Sequence, residues 1–363
     1  MLNNLILLLI FTACSGLKVT APEKENKVFT VKWSKNLDPD YETGNFPLTV
    51  GGTVVTDDYV AVGSLGGNFY VYDQENGREL WKSKEKKSVN GTPLFFDDHF
   101  YYGTQSGRLV VRHSITGKLK YAIDLGSPIE SKPVIQEGRL YIYLRGHQIV
   151  SLDAETGKML WSYRRAIAIP TTLQRTTKPL IIGNKIIVGF ADGYLGALSR
   201  DEGVILWETK LAENAKFVDV DLNPLKVGQF VLTGSPASDL FLIDPENGTI
   251  KQTFSFRVMS HPIEKNGLIT IGTVDGSVVL MNIKGDVIRT KQIAKDGINN
   301  IVFWKNLLIA SSFDGTIYAL DPVELTVVEK FNLGSKQSAI FSELDTHHDL
   351  SFLTSRNRLF VIK

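Results

Sequence analysis

Two short stretches of the sequence carry side chains suited to recognition. In "TTLQRTT", residues 171–177, an extended chain places Leu173 and Arg175 on one side, with Gln174 between them, because alternate residues share a face. An exposed leucine beside a guanidinium combines an apolar plug with a planar, multiple donor, the pairing that interface anchors use. In "FVDVDL", residues 217–222, the same alternation puts Asp219 and Asp221 on one face and Val218, Val220 and Leu222 on the other. The two acids either hold Arg175 in place or meet a basic partner themselves. A pair between Arg175 and either acid that only ties neighbouring loops together is the plainer alternative, since exposed pairs contribute little. Leu173, Gln174, Arg175, Asp219 and Asp221 are therefore the candidate partner-binding residues.

Other chemistries are poorly represented. The sequence contains no P-loop, no G-x-S-x-G elbow and no HExxH. His347 and His348 fall in a predicted turn before the last full strand; as strand neighbours they would alternate faces, so no shared metal is expected. "SYRRA" at 162–166 offers two arginines, too few for a nucleic-acid patch, and "KSKEKKSVN" at 82–90 reads as a solvated rim. With 40 basic and 39 acidic residues the net charge is +1, which argues against a polyanionic partner. No catalytic residue, metal or cofactor is expected.

The N-terminus, "MLNNLILLLIFTACSG", has an apolar run from Leu5 to Phe11, too short to span a bilayer but suited to a signal-peptide core. The single cysteine, Cys14, follows "FTA" and resembles the cysteine of a bacterial lipobox, where cleavage precedes a thiol that carries lipid. There is no basic residue in the first segment, and Phe11 stands where leucine is usual. Residues 1–13 then read as a lipoprotein signal peptide and 14–26 as a lipid-anchored polar tether. Ser15, in place of aspartate, resembles lipoproteins sorted to the outer membrane. A multiply acylated cysteine anchors durably, whereas one chain holds only marginally.

The elements that position these residues come from an internal repeat. "NFYVYDQENGRELWKS", "QIVSLDAETGKMLWSY", "YLGALSRDEGVILWET" and "DLFLIDPENGTIKQTF" each join a strand, a turn ending in glycine and a second strand. The turn glycines are Gly77, Gly117, Gly157, Gly203, Gly248 and Gly285, with Leu325 in the seventh place, spaced by 40, 40, 46, 45, 37 and 40 residues. Tight hairpin pairs lie upstream at Gly66-Gly67, Ser106-Gly107, Asp192-Gly193, Asp275-Gly276 and Asp314-Gly315. Pro47, Pro93, Pro133, Pro179, Pro224 and Pro262 open the first strand of their units, where no ladder bond is interrupted. Four strands per unit of about forty residues predict an all-β propeller. Seven units are complete; the eighth, from about Ser338, reaches a third strand, and residues 27–37 can supply the fourth. The expectation is one eight-bladed propeller of four-stranded antiparallel blades over residues 27–363, closed by pairing the N-terminal strand with the last blade.

The turn pattern Asp-x-x-x-Gly-x-x-x-Trp, as in Asp73/Gly77/Trp81 and Asp153/Gly157/Trp161, resembles the tryptophan-docking repeat of quinoprotein-like propellers. Gly203/Trp207 keeps its second half, while Gln252, Arg289 and Glu329 replace the tryptophan later. The quinone-dependent dehydrogenases of that group carry an adjacent cysteine pair and calcium-binding acids, from which a chain with one cysteine departs. The lipobox, eight blades and N-to-C closure are similar to the BamB family, the lipoprotein B subunit of the outer-membrane β-barrel assembly machinery. "LQRTTKPLIIGNKIIVGFADG" and "FVDVDLNPL" resemble two local segments of that family. The resemblance implies a non-catalytic scaffold, lipid-anchored at the outer membrane and facing the periplasm. It also implies contact with the POTRA domains of the barrel subunit, unfolded outer-membrane proteins as further partners, and no cofactor. A quinone-dependent dehydrogenase-like or other ligand-binding periplasmic propeller is the alternative, as is a lipoprotein that captures peptide strands or glycans. From the tryptophan position to the next opening proline, Trp81–Pro93 and Tyr121–Pro133 span 12 residues, but Trp161–Pro179 spans 18 and Trp207–Pro224 spans 17. The two long connectors adjoin and, by blade geometry, lie on one face.

Overall fold

The computed structural model describes residues 27–38, 51–166, 177–212, 218–334 and 338–363. The signal, tether and lipidation readings at 1–26, Pro47, and Leu173, Gln174 and Arg175 lie outside them. The described residues form eight four-stranded antiparallel sheets, each built as strands A to D from the ring axis outward. Blade 1 runs Thr53–Val55, Tyr59–Gly63, Asn68–Asp73 and Glu79–Lys84. The next six follow the same order, with D strands Leu119–Asp124, Met159–Arg164, Ile205–Lys210, Ile250–Phe254, Val287–Gln292 and Val327–Asn332. Blade 8 takes Asp345–Thr346, Leu350–Leu353 and Arg358–Ile362 from the end of the chain and Val31–Asn36 from its beginning. The expected closure is therefore present, and it pairs the outer edge of the last blade so that the ring has no open seam.

Burial explains the strand order. Strands B and C are almost wholly buried, as in Tyr59–Gly63 and Asn68–Asp73, whereas D strands alternate exposed and half-buried positions. Eight apolar cores result, one between each pair of neighbouring blades, the seam between blades 8 and 1 included. Trp33, Leu37, Leu353 and Val361 of blade 8 pack there with Val60, Val62, Tyr70 and Tyr72 of blade 1.

The repeated turn and tryptophan serve these junctions. The ladder between strands C and D skips one residue beside each docking position, for example between Val71/Trp81 and Tyr72/Glu79. Such a bulge twists the strand and re-aims its side chains. Trp81 Nε1 then donates to the Ser114 carbonyl of the next blade at 2.6 Å, Trp161 to Arg200 at 2.9 Å and Trp207 to Pro245 at 3.0 Å. Tyr121 makes the same bond through its hydroxyl to Ala154 at 2.8 Å, and Gln252 through its amide to Lys284 at 2.8 Å. At the remaining two positions Arg289 pairs with Glu324 at 3.0 Å, and Glu329 accepts the backbone N–H groups of Val28 and Phe29. The departures from tryptophan therefore preserve a contact to the next blade. The turn glycine leaves room for the ring: at Gly77, φ is +70° and a Cβ would lie 2.6 Å from the indole of Trp33. Leu325 adopts φ 53° in the glycine's place and is fully buried.

Candidate partner-binding face

The D–A connectors and the B–C hairpins share one end of the ring. Connector 165–179 leads from blade 3 to blade 4 and connector 211–224 from blade 4 to blade 5, as the spacing predicts. A third long connector, 37–52, joins the closing strand to blade 1. Its described residue Asp38 caps the blade 1 hairpin, accepting from Gly66 N at 2.7 Å, Asn68 Nδ2 at 2.5 Å and the Tyr70 hydroxyl at 2.8 Å.

A repeated backbone bond starts most connectors. The residue after strand D donates its N–H to the B–C hairpin of its own blade: Leu125 to Gly107 at 2.8 Å, Leu211 to Gly193 at 2.7 Å, Ile293 to Gly276 at 3.0 Å and Leu333 to Gly315 at 2.9 Å. In blade 8, Leu37 reaches Asn357 at 2.9 Å. Blade 3 has Arg165 at this position, bonded to the carbonyl of His147 at 3.0 Å. His147 holds the hairpin's left-handed position with φ 63°, where most other hairpins use glycine.

Arg165 turns this junction into a polar anchor. Its Nε lies 2.7 Å from Asp192 Oδ2 on the blade 4 hairpin, and its Nη1 bonds Glu208 of the blade 4 D strand. The guanidinium carbon stands 4.8 Å from the ring centre of Phe190 and 4.9 Å from that of Tyr194, within cation–π reach. Burial opposes the charge, but Asp192 and Glu208 outweigh it and hold Arg165 above its ordinary value. His147 is 7% exposed and faces the Tyr143 hydroxyl at 3.4 Å. Burial pushes its pKa down and Arg165 adds to this, against the opposing fields of Asp192 and Asp219.

The second connector is packed rather than spread over the surface. Residues 218–224 form no strand, so the expected separation into an acidic and an apolar face gives way to burial of Val218, Val220 and Leu222 and of Asp219, which is 4% exposed. Asp221 is half-buried. Val220 N donates to Phe190 O at 3.1 Å, laying the segment across the blade 4 hairpin, and the Thr233 hydroxyl donates to Leu222 O at 3.0 Å. Asp219 thus sits in the same junction as Tyr143 and His147, whose proton affinities it shifts.

Beside this junction the mouth of the ring axis holds a cavity of about 320 Å³, lined by residues in and just before the A strands of blades 4 to 7 together with Glu343 and Leu344. Asn223, at the end of the second connector, accepts from Lys178 N at 2.7 Å, and its own N–H meets His261 Nδ1 at 3.0 Å. Its amide donates to Glu343, whose Oε1 is 3.8 Å from His261 Nε2. Burial raises the Glu343 pKa, but His261, Lys132, Lys178 and the Asn223 bond outweigh it and the net shift is downward. Asp345, held by Val55 N at 2.7 Å and Lys132 Nζ at 3.7 Å, is shifted upward, chiefly by burial. The acids of this mouth are thus engaged in linking blade 8 to blades 1, 3, 5 and 6.

Leu173, Gln174 and Arg175 lie outside the described residues, so only the two acids of the five candidates are located. Sequence reasoning did not find Arg165, Asp192 and His147 as a group, nor Asn223 and Glu343. A partial signal for the first was present: leucine or isoleucine fills the post-D position in five blades, and Arg165 is one of three departures, with Glu85 and Ser255.

One family model matches the chain over residues 21–102 and 66–328, and its description is "Outer membrane protein assembly factor BamB". A protein of that name from Moranella endobia is 24% identical over 197 residues, which are 50% of this chain and 47% of the relative. The chain thus spans about half of that relative's length. Another from Burkholderia pseudomallei is 24% identical over 287 residues, 75% of this chain and 72% of the relative. The crystal structure of BamB from Moraxella catarrhalis superposes with a TM-score of 0.77 at 18% identity, covering 93% of this chain and all of the other, a likeness of fold. With the family model spanning most of the propeller, the chain belongs to the BamB family of outer membrane protein assembly factors.

Proposed function

We propose that this protein is a non-catalytic scaffold of the outer-membrane β-barrel assembly complex, and that the face bearing connectors 165–179 and 211–224 docks the periplasmic POTRA domains of the barrel subunit. Leu173 and Arg175 are the direct contacts, Gln174 lies between them, and Asp219 and Asp221 either hold Arg175 in place or meet a basic group of the partner. Lipidation at Cys14 anchors the ring at the outer membrane, facing the periplasm, where it aids folding and insertion of client barrels.

One observation supports this above the others: both connectors are fastened to the blade 4 hairpin, through Arg165–Asp192 at 2.7 Å and Val220–Phe190 at 3.1 Å. A hairpin braced from both sides presents the intervening chain on a rigid base, which lowers the ordering cost of binding. The polar groups at the axis mouth bond one another across blades, in keeping with a structural role. Capture of the purified barrel subunit's periplasmic domains on immobilised protein tests the proposal. Binding is expected for the wild type and a loss of at least about tenfold for Leu173→Arg or Arg175→Glu, in the range of interface hot spots. Unchanged binding by both variants moves the contact to another face, and failure of the wild type to bind overturns the assignment of partner.

A further inference from the structure

At the opposite end of the ring, the A–B turns of blades 8 and 1 meet, and three ligating side chains converge there. His347 and His348 lie in a turn, as the sequence predicts, so the strand alternation that argued against a shared metal does not apply to them. Both imidazoles point the same way: His347 Nε2 lies 2.9 Å and His348 Nε2 3.2 Å from a single atom, Asp57 Oδ1 of blade 1. One ligating atom from each of the three residues falls within 4.8 Å of the others, and all three residues are exposed.

We propose that Asp57, His347 and His348 form a binding site for a divalent transition metal of the zinc class, clasping the seam between the last blade and the first. Zinc bonds of about 2.0–2.1 Å in tetrahedral geometry separate neighbouring ligand atoms by about 3.3 Å. Relative to that, the two N···O separations of 2.9 and 3.2 Å need to widen by a few tenths of an ångström, while the three ligand atoms, which span up to 4.8 Å, must draw together by rotation of the exposed rings. Two imidazoles and one carboxylate select zinc, copper or nickel over magnesium or calcium, which prefer all-oxygen sites. Solvent supplies the fourth ligand, because the site is open.

The backbone that presents these ligands is fixed on both sides. Trp304 Nε1 donates to the carbonyl of His348 at 3.0 Å, and His347 N donates to Asp349 O at 3.0 Å. On blade 1, Thr56 closes the turn around Asp57 through Thr56 N to Tyr59 O and Tyr59 N to Thr56 Oγ1, both at 2.9 Å. The histidine turn continues directly into Asp349, which accepts Lys32 Nζ of the closing strand at 3.1 Å and the amide of Gln74 on blade 1. The site is therefore continuous with polar contacts that already cross the seam. A metal bound only when Asp57 and the histidines are apposed binds the closed ring and not the opened one, so it stabilises closure. The site lies away from the connector face and does not depend on the docking proposed above.

Calorimetric titration of zinc into the full chain, untagged and carrying Cys14→Ser so that no thiol competes, tests the site. The expected result is one zinc per chain at low-micromolar affinity, weakened at least about tenfold in Asp57→Asn and in His348→Ala, as loss of one of three ligands requires. His113→Ala, which alters the separate His99–His113 ring pair, is expected to bind like the parent. Zinc in about hundredfold excess over its dissociation constant is expected to raise the midpoint of thermal unfolding by about 3 °C in the parent and not in Asp57→Asn. Absence of stoichiometric binding, or equal binding by Asp57→Asn, overturns the site. Binding without a rise in the unfolding midpoint overturns the clasp.

Discussion

The indole Nε1 of Trp33 lies 2.9 Å from the carbonyl oxygen of Gln74, so the first described strand of the chain is docked onto the first blade while being hydrogen-bonded into the last. The bond repeats, at the seam, the contact that Trp81, Trp161 and Trp207 make between blades joined directly by the chain. Trp33 also packs over Gly77 and tilts against Tyr72 with ring centres 5.7 Å apart. Closure thus has the same chemistry as the junctions that keep the tryptophan, and here it holds the beginning of the chain against the first blade.

Truncating that ring is therefore expected to be costly. Trp33→Ala removes a 9%-exposed indole from the seam core and leaves the Gln74 carbonyl without its donor, for a loss of about 3–5 kcal/mol. Arg289→Ala, at the equivalent place in blade 6, removes an exposed pair with Glu324 and is expected to cost less than about 1 kcal/mol. Chemical denaturation of the two variants checks the contrast. Equal losses would mean that the docking position contributes through the fold of its own blade and not through the junction.

The anchor at the first long connector predicts strong coupling. The side chains of Arg165 and Asp192 are 13% and 14% exposed, and breaking such a pair strands a poorly hydrated charge. Arg165→Ala is expected to destabilise by about 3 kcal/mol, and the double variant with Asp192→Ala by markedly less than the two single losses added together. A double-mutant cycle on unfolding free energies measures this. If the connector proposal holds, Arg165→Ala also weakens capture of the barrel subunit's periplasmic domains, because the base of connector 165–179 is released.

The blades were legible because their determinants are local. Glycines at fixed offsets mark left-handed turn positions, and the spacing located Leu325 at such a position although it is no glycine, with φ 53°. Trp33 was not recognised as a docking residue because its blade is split between the chain ends, so no turn precedes it in sequence. The face of "FVDVDL" was misjudged for a different reason. Alternation holds for a strand with one covered side, whereas this segment is irregular and buries both Asp219 and Val220. The histidine pair was placed in its turn from sequence, but the argument against a shared site used the alternation of a strand, whereas the turn brings both rings to Asp57. Groups such as Arg165, Asp192 and His147 depend on three elements meeting in space, which no single window of sequence contains.

Asn223 offers a test of how the second connector is held. It accepts from Lys178 N, meets His261 and donates to Glu343, joining blades 4, 5, 6 and 8 at the axis mouth. Asn223→Ala removes the bonds from Lys178 N and to Glu343, whose side chain is 38% exposed, for an expected loss of about 1–2 kcal/mol. Asn223→Asp keeps the acceptor but sets a second carboxylate against Glu343, and is expected to lose at least as much near neutral pH. Unfolding of both variants at pH 7 and pH 4.5 checks the sign: the aspartate variant recovers on acidification as the carboxylates take up a proton, and the alanine variant does not.

His147 supplies the pH dependence. Burial holds its folded pKa below the ordinary value of about 6.5, with Arg165 acting in the same direction and Asp192 and Asp219 against it. Below about pH 6.5 the unfolded chain therefore binds a proton that the folded chain declines, and stability falls with pH until the folded value is passed. Glu343, whose folded value is lowered, loses its contribution only as pH falls through the carboxylate range, so the interval from pH 7.5 to 5.5 reports mainly on histidine. His147→Asn keeps a residue that tolerates the left-handed backbone at φ 63° and removes the titration. The drop in unfolding midpoint between pH 7.5 and 5.5 is expected to be smaller in this variant than in the wild type. An unchanged drop would show that His147 is not the group that makes the connector face sensitive to acid.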